Sequence, residues 1–521
     1  MRPNTWMVLA GVTTILPAIG ACGERADVDR ITAVPAAAAS AASPRGLDAE
    51  LQAYLSTLGF TGRMASTLEA RLGRRVDHQV AEVGRMLWFD PIGGLHDDNT
   101  CAGCHSPTNG FGDTQSIAIG IDNNGIVGPG RTGPRNQRRT PTVVNTAFYP
   151  KLMWNGRFFA NALTPNGLGD PFRNNFGFTF PYPEAESLSY QDHLLQAQAF
   201  IPPTETVEVA GFTGLNDPSS PFSIFDDGHG LPLPAPDETG TRNAPIRQIG
   251  MRILNATPGY RLAFGKVFPS IRGGAPITID HFARAIAEFE FTLIFANAPI
   301  DQFARGRENA MTNAEKRGAL VFFGEGKCVT CHAVKGKANE MFSDFQNYVA
   351  GIPQLAPEFG VGKSNMIYDG PGADEDFGAM QISGSEADKY RFRASPLRNI
   401  ALSPAFFHNG AFARLEDAVR FHVNPTQPYN PARAGIDRDL YARMGPRVPV
   451  ELLDPVFQKG GIKLSEQDLR DVTQFVRTGL LDDRAKKENL CRLIPKFVPS
   501  QLPVLTFEDC EKDRDRDRDR D

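Results

Sequence analysis

The sequence is poor in the residues that most often carry metal and redox chemistry. Its 521 residues include only seven Cys, nine His and three Trp. Charge of one sign is also lacking: the net charge of −5 is small for this length, so no broad basic surface for nucleic acid is implied. Where the scarce cysteines and histidines stand side by side, chance is therefore a poor explanation.

Long apolar runs are lacking too. The apolar stretch over residues 6–19 is interrupted by Pro17 and is too short to span a bilayer, so it predicts a secretory signal peptide over 1–22. That segment ends in a bacterial lipobox pattern, which predicts a lipid anchor on Cys22; a plain signal peptide cleaved just before it is the alternative. The Ala- and Ser-rich residues 23–46 then predict a flexible linker.

Two Cys-x-x-Cys-His runs contain four of the seven cysteines. In such a run both thiols can be joined to haem vinyl groups while the adjacent His coordinates the iron. A redox or zinc pair is the alternative, but two copies with an adjacent His make it the weaker one. The runs predict two covalently bound c-type haems, held by Cys101, Cys104 and His105 and by Cys328, Cys331 and His332.

Covalent haem attachment in bacteria takes place outside the cytoplasmic membrane. Together with the signal peptide it predicts a periplasmic protein, a compartment that permits disulfides. Cys491 and Cys510 remain after the lipid and haem cysteines are assigned, and we expect them to form a disulfide near the C-terminus.

A pattern that recurs around the two runs predicts the architecture. Residues 84–89 before the first run resemble residues 318–323 before the second, and both patterns read as helices. After each run, five residues recur at an offset of 254: Asn145, Ala147, Pro150, Asn155 and Gly156 correspond to Asn399, Ala401, Pro404, Asn409 and Gly410. We infer a mainly α fold of two cytochrome c-like haem domains related by internal duplication.

The domain boundaries follow from this pattern. We expect a first haem domain over 47–276, with aperiodic loop insertions at 158–192 and 211–245. A second haem domain over 277–485 should open with an amphipathic helix over 277–296 and close with a helix over 464–480 that begins at a Ser465 cap. The remaining 486–521 form a tail whose alternating Asp/Arg end predicts disorder.

These motifs together resemble the bacterial dihaem cytochrome c peroxidase family, which includes the MauG-type enzymes. The resemblance covers about residues 80–476. It depends on four segments: Gly84-Arg85-Met86-Leu87-Trp88-Phe89-Asp90, Arg139-Thr140-Pro141-Thr142-Val143-Val144-Asn145, Trp154-Asn155-Gly156-Arg157 and Leu397-Arg398-Asn399-Ile400-Ala401-Leu402.

The resemblance implies that the first haem is the peroxide site and the second the electron-transfer site. In the peroxidase branch a distal His must leave the first iron before peroxide binds. This sequence has no His between His105 and His193, which implies an open first iron, as in the MauG-type branch. The family's Gln, Pro and Glu pocket matches Gln198, Pro202 and Glu208, which makes Glu208 the expected general acid-base and Gln198 its hydrogen-bonding neighbour.

Two further positions follow from the same resemblance. Trp154 stands where the family places a Trp between the haems, although a purely structural Trp is the alternative. The second iron is expected to have His332 and His422 as ligands, with His408 as the rival. Five histidines match no ligand position and are expected to be surface or structural residues: His78, His96, His193, His229 and His281.

Cofactors, partners and rival functions complete the expectations. The family also binds calcium between its domains, and the matching positions here are Arg139 or Asn136, with the Ser403 and Ala405 carbonyls; calcium stays an open alternative. The implied function is reduction of hydrogen peroxide with electrons from a small cytochrome c or cupredoxin. MauG-type oxidation of a partner protein or organic substrate, and a dihaem electron carrier without catalysis, are the alternatives.

Overall fold

Short helices joined by long loops make up the chain. The computed structural model describes residues 44–94, 97–164, 167–172, 175–179, 188–211, 243–357, 368–458 and 462–510. The expected signal peptide, Cys22, the linker up to residue 43, His96, His229, most of the second insertion and the Asp/Arg end lie outside the described residues.

The helices of the described residues run as follows: α1 (Pro44–Thr57), α2 (Leu68–Leu72), α3 (His78–Phe89), α4 (Cys101–Cys104), α5 (Leu194–Gln198), α6 (Asn243–Ala256), α7 (Pro258–Val267), α8 (Pro269–Arg272), α9 (Ile279–Phe291), α10 (Pro299–Ala304), α11 (Asn313–Phe323), α12 (Met380–Ser383), α13 (Leu415–Val423), α14 (Pro431–Ala434), α15 (Glu466–Gln474) and α16 (Lys487–Leu490).

The strands are short and form small sheets at the edges of the helical cores. They are β1 (Ile126–Val127), β2 (Lys151–Leu152), β3 (Phe158–Ala160), β4 (Phe178–Thr179), β5 (Asn347–Tyr348), β6 (Leu355–Ala356), β7 (Phe392–Arg393), β8 (Arg443–Met444) and β9 (Thr506–Phe507). Strands β2, β3 and β4 form an antiparallel sheet, β5 pairs with β7 and β6 with β8 in antiparallel register, and β1 pairs with β9 in parallel. The predicted mainly α character is confirmed.

Two pairs of helices pack closely against each other. In the first pair α3 crosses α9, and a Cβ added to Gly84 would lie 1.8 Å from the Ala285 carbonyl oxygen. In the second pair α11 crosses α15, and a Cβ on Gly318 would lie 2.0 Å from the Asp471 carbonyl oxygen. Only glycine allows backbones to approach this closely, so both crossings depend on it.

Two main hydrophobic cores surround these helix pairs. The first contains apolar side chains of α3, α6, α7 and α9 together with the C-terminal segment from Leu490 to Cys510. The second contains those of α1, α11, α13 and α15. The packing thus differs from the predicted boundaries: α1 lies with the second core, whereas α9 and the tail lie with the first.

Two predicted helices end earlier than their apolar pattern does. Helix α9 ends at Phe291 rather than 296, because the Asn145 amide binds both the N–H and the carbonyl of Phe295 and holds this backbone away from a helical path. Helix α15 begins, as predicted, at a Ser465 capping box with Asp468, and passes into a π-helical turn at residue 475. The 158–192 insertion contributes β3 and β4.

The C-terminal tail is fastened to the first core. Cys491 and Cys510 form the predicted disulfide. Between them the chain adds β9 beside β1, pairing Thr506 with Ile126. Across the described part of the chain, every helix is too short or too polar to cross a membrane.

Candidate active site

The first Cys-x-x-Cys-His run forms a short helical turn at the edge of a cavity. Helix α4 begins after Thr100, whose hydroxyl accepts a hydrogen bond from the Gly103 N–H. Both thiols are free and partly buried. Burial raises the pKa of Cys101 to about 12 and that of Cys104 to about 11, so both are neutral thiols before any cofactor is attached.

His105 follows this turn and packs against Trp88, with ring centroids 5.8 Å apart. Burial lowers the pKa of His105 to about 4, which leaves the imidazole neutral, as a metal ligand must be. Its Nδ1 makes no hydrogen bond, although the carbonyls of Phe111 and Pro141 lie near enough to oppose the fall in pKa. A neutral imidazole beside two thiols fits a cysteine-linked haem.

The cavity beside His105 brings together the residues that the sequence singled out. It has a volume of about 280 Å³, and its wall includes Trp154, Gln198, Pro202 and Glu208. No hydrogen bond joins the Gln198 side chain to Glu208 in the part of the chain that the structure describes. The predicted set is thus assembled, but without this predicted contact.

Glu208 lies on a π-helical turn, Thr206–Ala210, held against the haem-binding turn. The Asn99 amide donates to the Glu208 carbonyl at 2.6 Å and accepts from Arg131 at 2.8 Å. Burial, followed by the nearby Glu205, raises the pKa of Glu208 to about 7, against the opposing charge of Arg157. Glu208 can therefore exchange a proton close to neutral pH.

A second carboxyl in this cavity was missed from the sequence. Glu290 near the end of α9 is only 3% exposed, and its Oε2 makes no hydrogen bond to the described residues. Burial raises its pKa to about 8. It lines the cavity with Phe282 and Ile286 at helical spacing, so a carboxyl within an apolar helix face was the available signal.

The second Cys-x-x-Cys-His run borders another cavity, of about 200 Å³, which is also lined by His422. The His332 Nδ1 lies 3.1 Å from the carbonyl oxygens of Phe342 and Ser395, and the His422 Nδ1 lies 2.8 Å from that of Ala418. An Nδ1–H that donates to a carbonyl leaves the Nε2 lone pair for a metal, the usual arrangement of metal-binding histidines.

The imidazole rings of His332 and His422 lie at a distance that would let both bind one metal ion. The ring centroids of His332 and His422 are 6.2 Å apart. Two metal–imidazole bonds of about 2 Å each, plus about 1 Å from each nitrogen to its ring centre, span roughly 6 Å. Burial lowers the pKa of both rings, and that of His332 reaches about 4. These residues fit a bis-His haem.

The rival His408 is placed differently. Its ring stacks on Phe392 with centroids 3.6 Å apart, and its Nε2 lies 3.7 Å from an Asp376 oxygen. Burial lowers its pKa to about 3. Although His408 borders the second cavity, His422 is the residue whose ring faces His332.

Trp154 stands in the wall between the two cavities and lines both. Its indole N–H donates to the Arg139 carbonyl at 2.7 Å, while its own carbonyl accepts from the Arg393 N–H at 2.7 Å. The Arg139 N–H donates in turn to the His408 carbonyl at 2.7 Å. The two donors, Arg139 and Arg393, stand 254 positions apart in the chain, and so do the two acceptors, Trp154 and His408. The contact is therefore nearly two-fold symmetric.

The calcium positions are only partly suitable. The buried Arg139 guanidinium donates to the carbonyls of Gln115 and Asp113, so its positive charge already occupies that place and a calcium ion does not fit there. Within the described ranges no group of three or more His, Cys, Asp or Glu side chains is arranged to hold a metal ion.

The remaining described histidines are surface or structural residues, as expected. His193 is buried, accepts from the Leu195 N–H and lies 3.0 Å from the Ala147 carbonyl. His281 forms the capping contact of α9 with Thr278. His78 is the first residue of α3.

Two cavities, each bordered by a Cys-x-x-Cys-His turn, define an oxidoreductase that carries two cysteine-linked haems. The di-haem cytochrome c peroxidase family model matches residues 78–309. Cytochrome c551 peroxidase of Pseudomonas aeruginosa is 26% identical over 352 residues, covering 68% of this chain and 74% of that protein. The methylamine utilization protein MauG of Methylorubrum extorquens is 24% identical over 396 residues, 76% of each chain.

A solved structure agrees at the level of the fold. A MauG-like protein associated with microbial copper homeostasis superposes with a TM-score of 0.50 at 19% identity, covering 79% of this chain and 91% of that one. The family model and these relatives support the di-haem cytochrome c peroxidase and MauG family for this chain. They support a cytochrome c peroxidase-like oxidoreductase, and the family implies two haem c groups.

Proposed function

We propose that the protein reduces hydrogen peroxide at the first haem, with electrons delivered through the second. The observation that carries this proposal is the difference between the two cavities. The second holds two imidazoles 6.2 Å apart, which would together hold the iron of one haem. The first holds His105 and the carboxyl of Glu208. A site with two imidazoles would suit electron transfer, and a site with one imidazole and a carboxyl would suit peroxide binding.

Glu208 is the proposed general acid-base. A haem held by Cys101, Cys104 and His105 would supply the redox chemistry and a place for peroxide to bind. Peroxide cleavage then needs a group that takes the proton from the near oxygen and returns it to the leaving one. With a pKa of about 7, Glu208 exists as both acid and carboxylate at neutral pH, as this two-way transfer requires. Gln198 and Pro202 shape the same wall.

Trp154 is the proposed route between the two haems. Its indole borders both cavities, so electrons need not cross a wide gap of aliphatic side chains. The indole N–H is fixed by the Arg139 carbonyl, which holds the ring in one orientation. A small cytochrome c or cupredoxin is the proposed electron donor to the second haem.

The near-symmetry of the contact between the halves supports duplication of one haem domain. On this proposal the first domain spans 47–276 and the second 277–485, with α1 and α9 exchanged between their cores. The peroxidase assignment also supports a periplasmic location. A lipid anchor at Cys22 is a separate part of the proposal. Asn136 remains the proposed residue for any calcium ion.

MauG-type use of the same haems, in which peroxide oxidises a partner protein or an organic substrate, is the second candidate function. The similarity to MauG, which extends over 76% of both chains, favours keeping it. A plain electron carrier is less well supported, because a carrier has no use for a titrating carboxyl in an open cavity.

The test is peroxide turnover by the fully assembled protein with reduced cytochrome c or cupredoxin as donor. Replacing Glu208 by Gln keeps the size of the side chain and removes the titrating group. We expect Glu208→Gln to slow the reaction of the ferric protein with peroxide at least about tenfold, because general acid-base catalysis contributes about 10²- to 10⁴-fold. Stopped-flow absorbance of the first haem measures this rate.

The control is Glu205→Gln, which removes the neighbouring carboxyl but keeps Glu208. Because Glu205 raises the pKa of Glu208, its loss should move the rising limb of the pH–rate profile to lower pH without removing the reaction. Equal rates in wild type and Glu208→Gln would contradict the assignment and favour the carrier.

A further inference from the structure

Tyr348 is a partly exposed residue in the wall of the second cavity that the reaction above does not use. It lies on β5, where its backbone pairs with Phe392 of β7. Its hydroxyl donates a hydrogen bond to a carboxylate oxygen of Asp344. The side chain therefore joins the cavity wall to a proton acceptor.

The same pair lies against the sulfur that would hold the second haem. Burial raises the pKa of Cys331 to about 12, and a hydrogen bond with the Tyr348 side chain opposes this rise. The Asp344 N–H donates to the Cys331 carbonyl at 2.8 Å. Through this hydrogen bond to Cys331, Tyr348 would lie next to the edge of the second haem.

The other tyrosine in the cavity walls shows what is particular about Tyr348. Tyr149 lines both cavities, but its hydroxyl donates to the Val144 carbonyl, which cannot take a proton. Asp344 can, and burial raises the pKa of its carboxyl, which makes the carboxylate a stronger base. A phenol gives up an electron far more readily when its proton can leave at the same time.

We propose that Tyr348 is a site of one-electron oxidation at which small phenolic compounds are oxidised, at the expense of peroxide reduced at the first haem. This inference rests on the proposed function, which supplies the oxidant. Tyr348 gives one electron to the oxidised second site, its O–H bond breaks, and the proton passes to the Asp344 carboxylate.

The site is then restored by the substrate. A phenol gives up its O–H hydrogen atom, the Tyr348 O–H bond re-forms, and Asp344 releases its proton. Two phenols are oxidised to phenoxyl radicals for each peroxide reduced to two waters. Because the bond broken and the bond formed are both phenolic O–H bonds, the exchange is close to balanced in energy.

The chain contains a matched control. Tyr390 also donates its hydroxyl to a carboxylate, that of Glu375, but neither residue lines a cavity described above. The experiment mixes the ferric, fully assembled protein with hydrogen peroxide, records freeze-quench EPR spectra, and follows oxidation of p-cresol. Wild type and Tyr390→Phe should show a tyrosyl radical and oxidise p-cresol, whereas Tyr348→Phe should lose both.

Asp344→Asn tests the proton acceptor while keeping the tyrosine. The amide oxygen can still accept a hydrogen bond but cannot take up the proton, so we expect p-cresol oxidation to slow at least about tenfold. This variant also decides the matter if Tyr348→Phe does not assemble with two haems, and unchanged oxidation in it would overturn the inference. A radical signal and p-cresol oxidation that persist in an assembled Tyr348→Phe protein would overturn it too.

Failure of the inference and of the proposed function look different. If the ferric protein does not consume peroxide, the proposed function falls and this inference falls with it. If it consumes peroxide but forms no tyrosyl radical, only the role of Tyr348 is overturned.

Discussion

Glu208 and Glu290 are carboxyls in the wall of one cavity, yet their surroundings differ. Glu208 has a charged neighbour on each side, Glu205 and Arg157, and burial brings its pKa to about 7. The Glu290 Oε2 has no hydrogen-bond partner among the described residues, and burial alone brings the pKa of this carboxyl to about 8. Glu290 is therefore mainly a neutral acid at pH 7, which is costly to ionise in place.

This burial predicts a pH-dependent stability. The folded protein holds the Glu290 proton up to about pH 8, whereas the unfolded chain loses it near the ordinary value of 4.5, so stability falls as pH rises between the two. Glu290→Gln removes this loss. We expect it to raise the free energy of unfolding at pH 8 by on the order of 4 kcal/mol, with little change at pH 4.5. Chemical denaturation at several pH values measures the difference.

Glu82→Gln is the control, because Glu82 is exposed on the neighbouring α3. It should leave the pH dependence of stability unchanged. A Glu290→Gln protein that loses stability with rising pH as steeply as wild type would contradict a buried neutral acid.

The ligands of the second iron are also decided at single residues. Because the His422 ring faces His332, we expect the ferric protein to show one high-spin haem and one low-spin bis-His haem. His422→Ala should convert the low-spin haem to high spin. His408→Ala should not, since that ring stacks on Phe392 instead. EPR and near-infrared spectra distinguish the two outcomes. If only His408→Ala converts the low-spin haem, the ligand is His408 and not His422.

At this scale the sequence predicts residues that carry a motif and misses those that depend on the fold. The haem cysteines and proximal histidines are adjacent in sequence, so spacing alone identifies them. Glu290 and the Tyr348–Asp344 pair have no such motif. Their importance comes from burial, from an absent partner or from a neighbouring cavity, and a one-dimensional pattern contains none of these.

The helix pairs set the positions of the cavities. Helix α3 carries Trp88 against His105, and α9 carries Glu290 into the first cavity, so their crossing sets the spacing of the site. In the second half, α11 and α15 cross at Gly318, where the backbones touch. A substitution at this crossing should therefore change how both helices pack.

We predict that Gly318→Ala destabilises the protein. The new Cβ would lie 2.0 Å from the Asp471 carbonyl oxygen, so the helices must move apart. Overpacking of this kind costs about 1–3 kcal/mol, more than the roughly 1 kcal/mol that alanine gains in a helix. Thermal unfolding measures the loss. Gly265→Ala on α7 is the control, since its Cβ would meet only ordinary contacts, and equal stability of both variants would contradict the close crossing.

Helix identity is easier to predict than helix length. The apolar spacing of α3 and the Ser465 cap of α15 are local signals, and both predictions are confirmed. Helix α9 stops five residues before its apolar pattern does because Asn145, about 150 residues earlier in the chain, binds the backbone of Phe295. A partner this distant in sequence leaves no trace in the local pattern.

The whole molecule should contain two covalent haems, one in each cavity. We expect the Cys101→Ala, Cys104→Ala double variant to retain one haem, because the second run and its cavity do not depend on these thiols. Mass spectrometry and the pyridine haemochrome assay count the haems. A double variant that still carries two would contradict the assignment of the first run.

The crossing of segments between the cores has a consequence for biosynthesis. Helix α1, near the beginning of the described chain, packs into the second core, and the disulfide-closed tail packs into the first. On the proposed periplasmic location, a chain delivered across a membrane from its N-terminus would present the first Cys-x-x-Cys-His turn before the segment that covers its core. We expect the first core to stay incomplete until the C-terminal segment arrives, with Cys101 and Cys104 accessible for haem attachment.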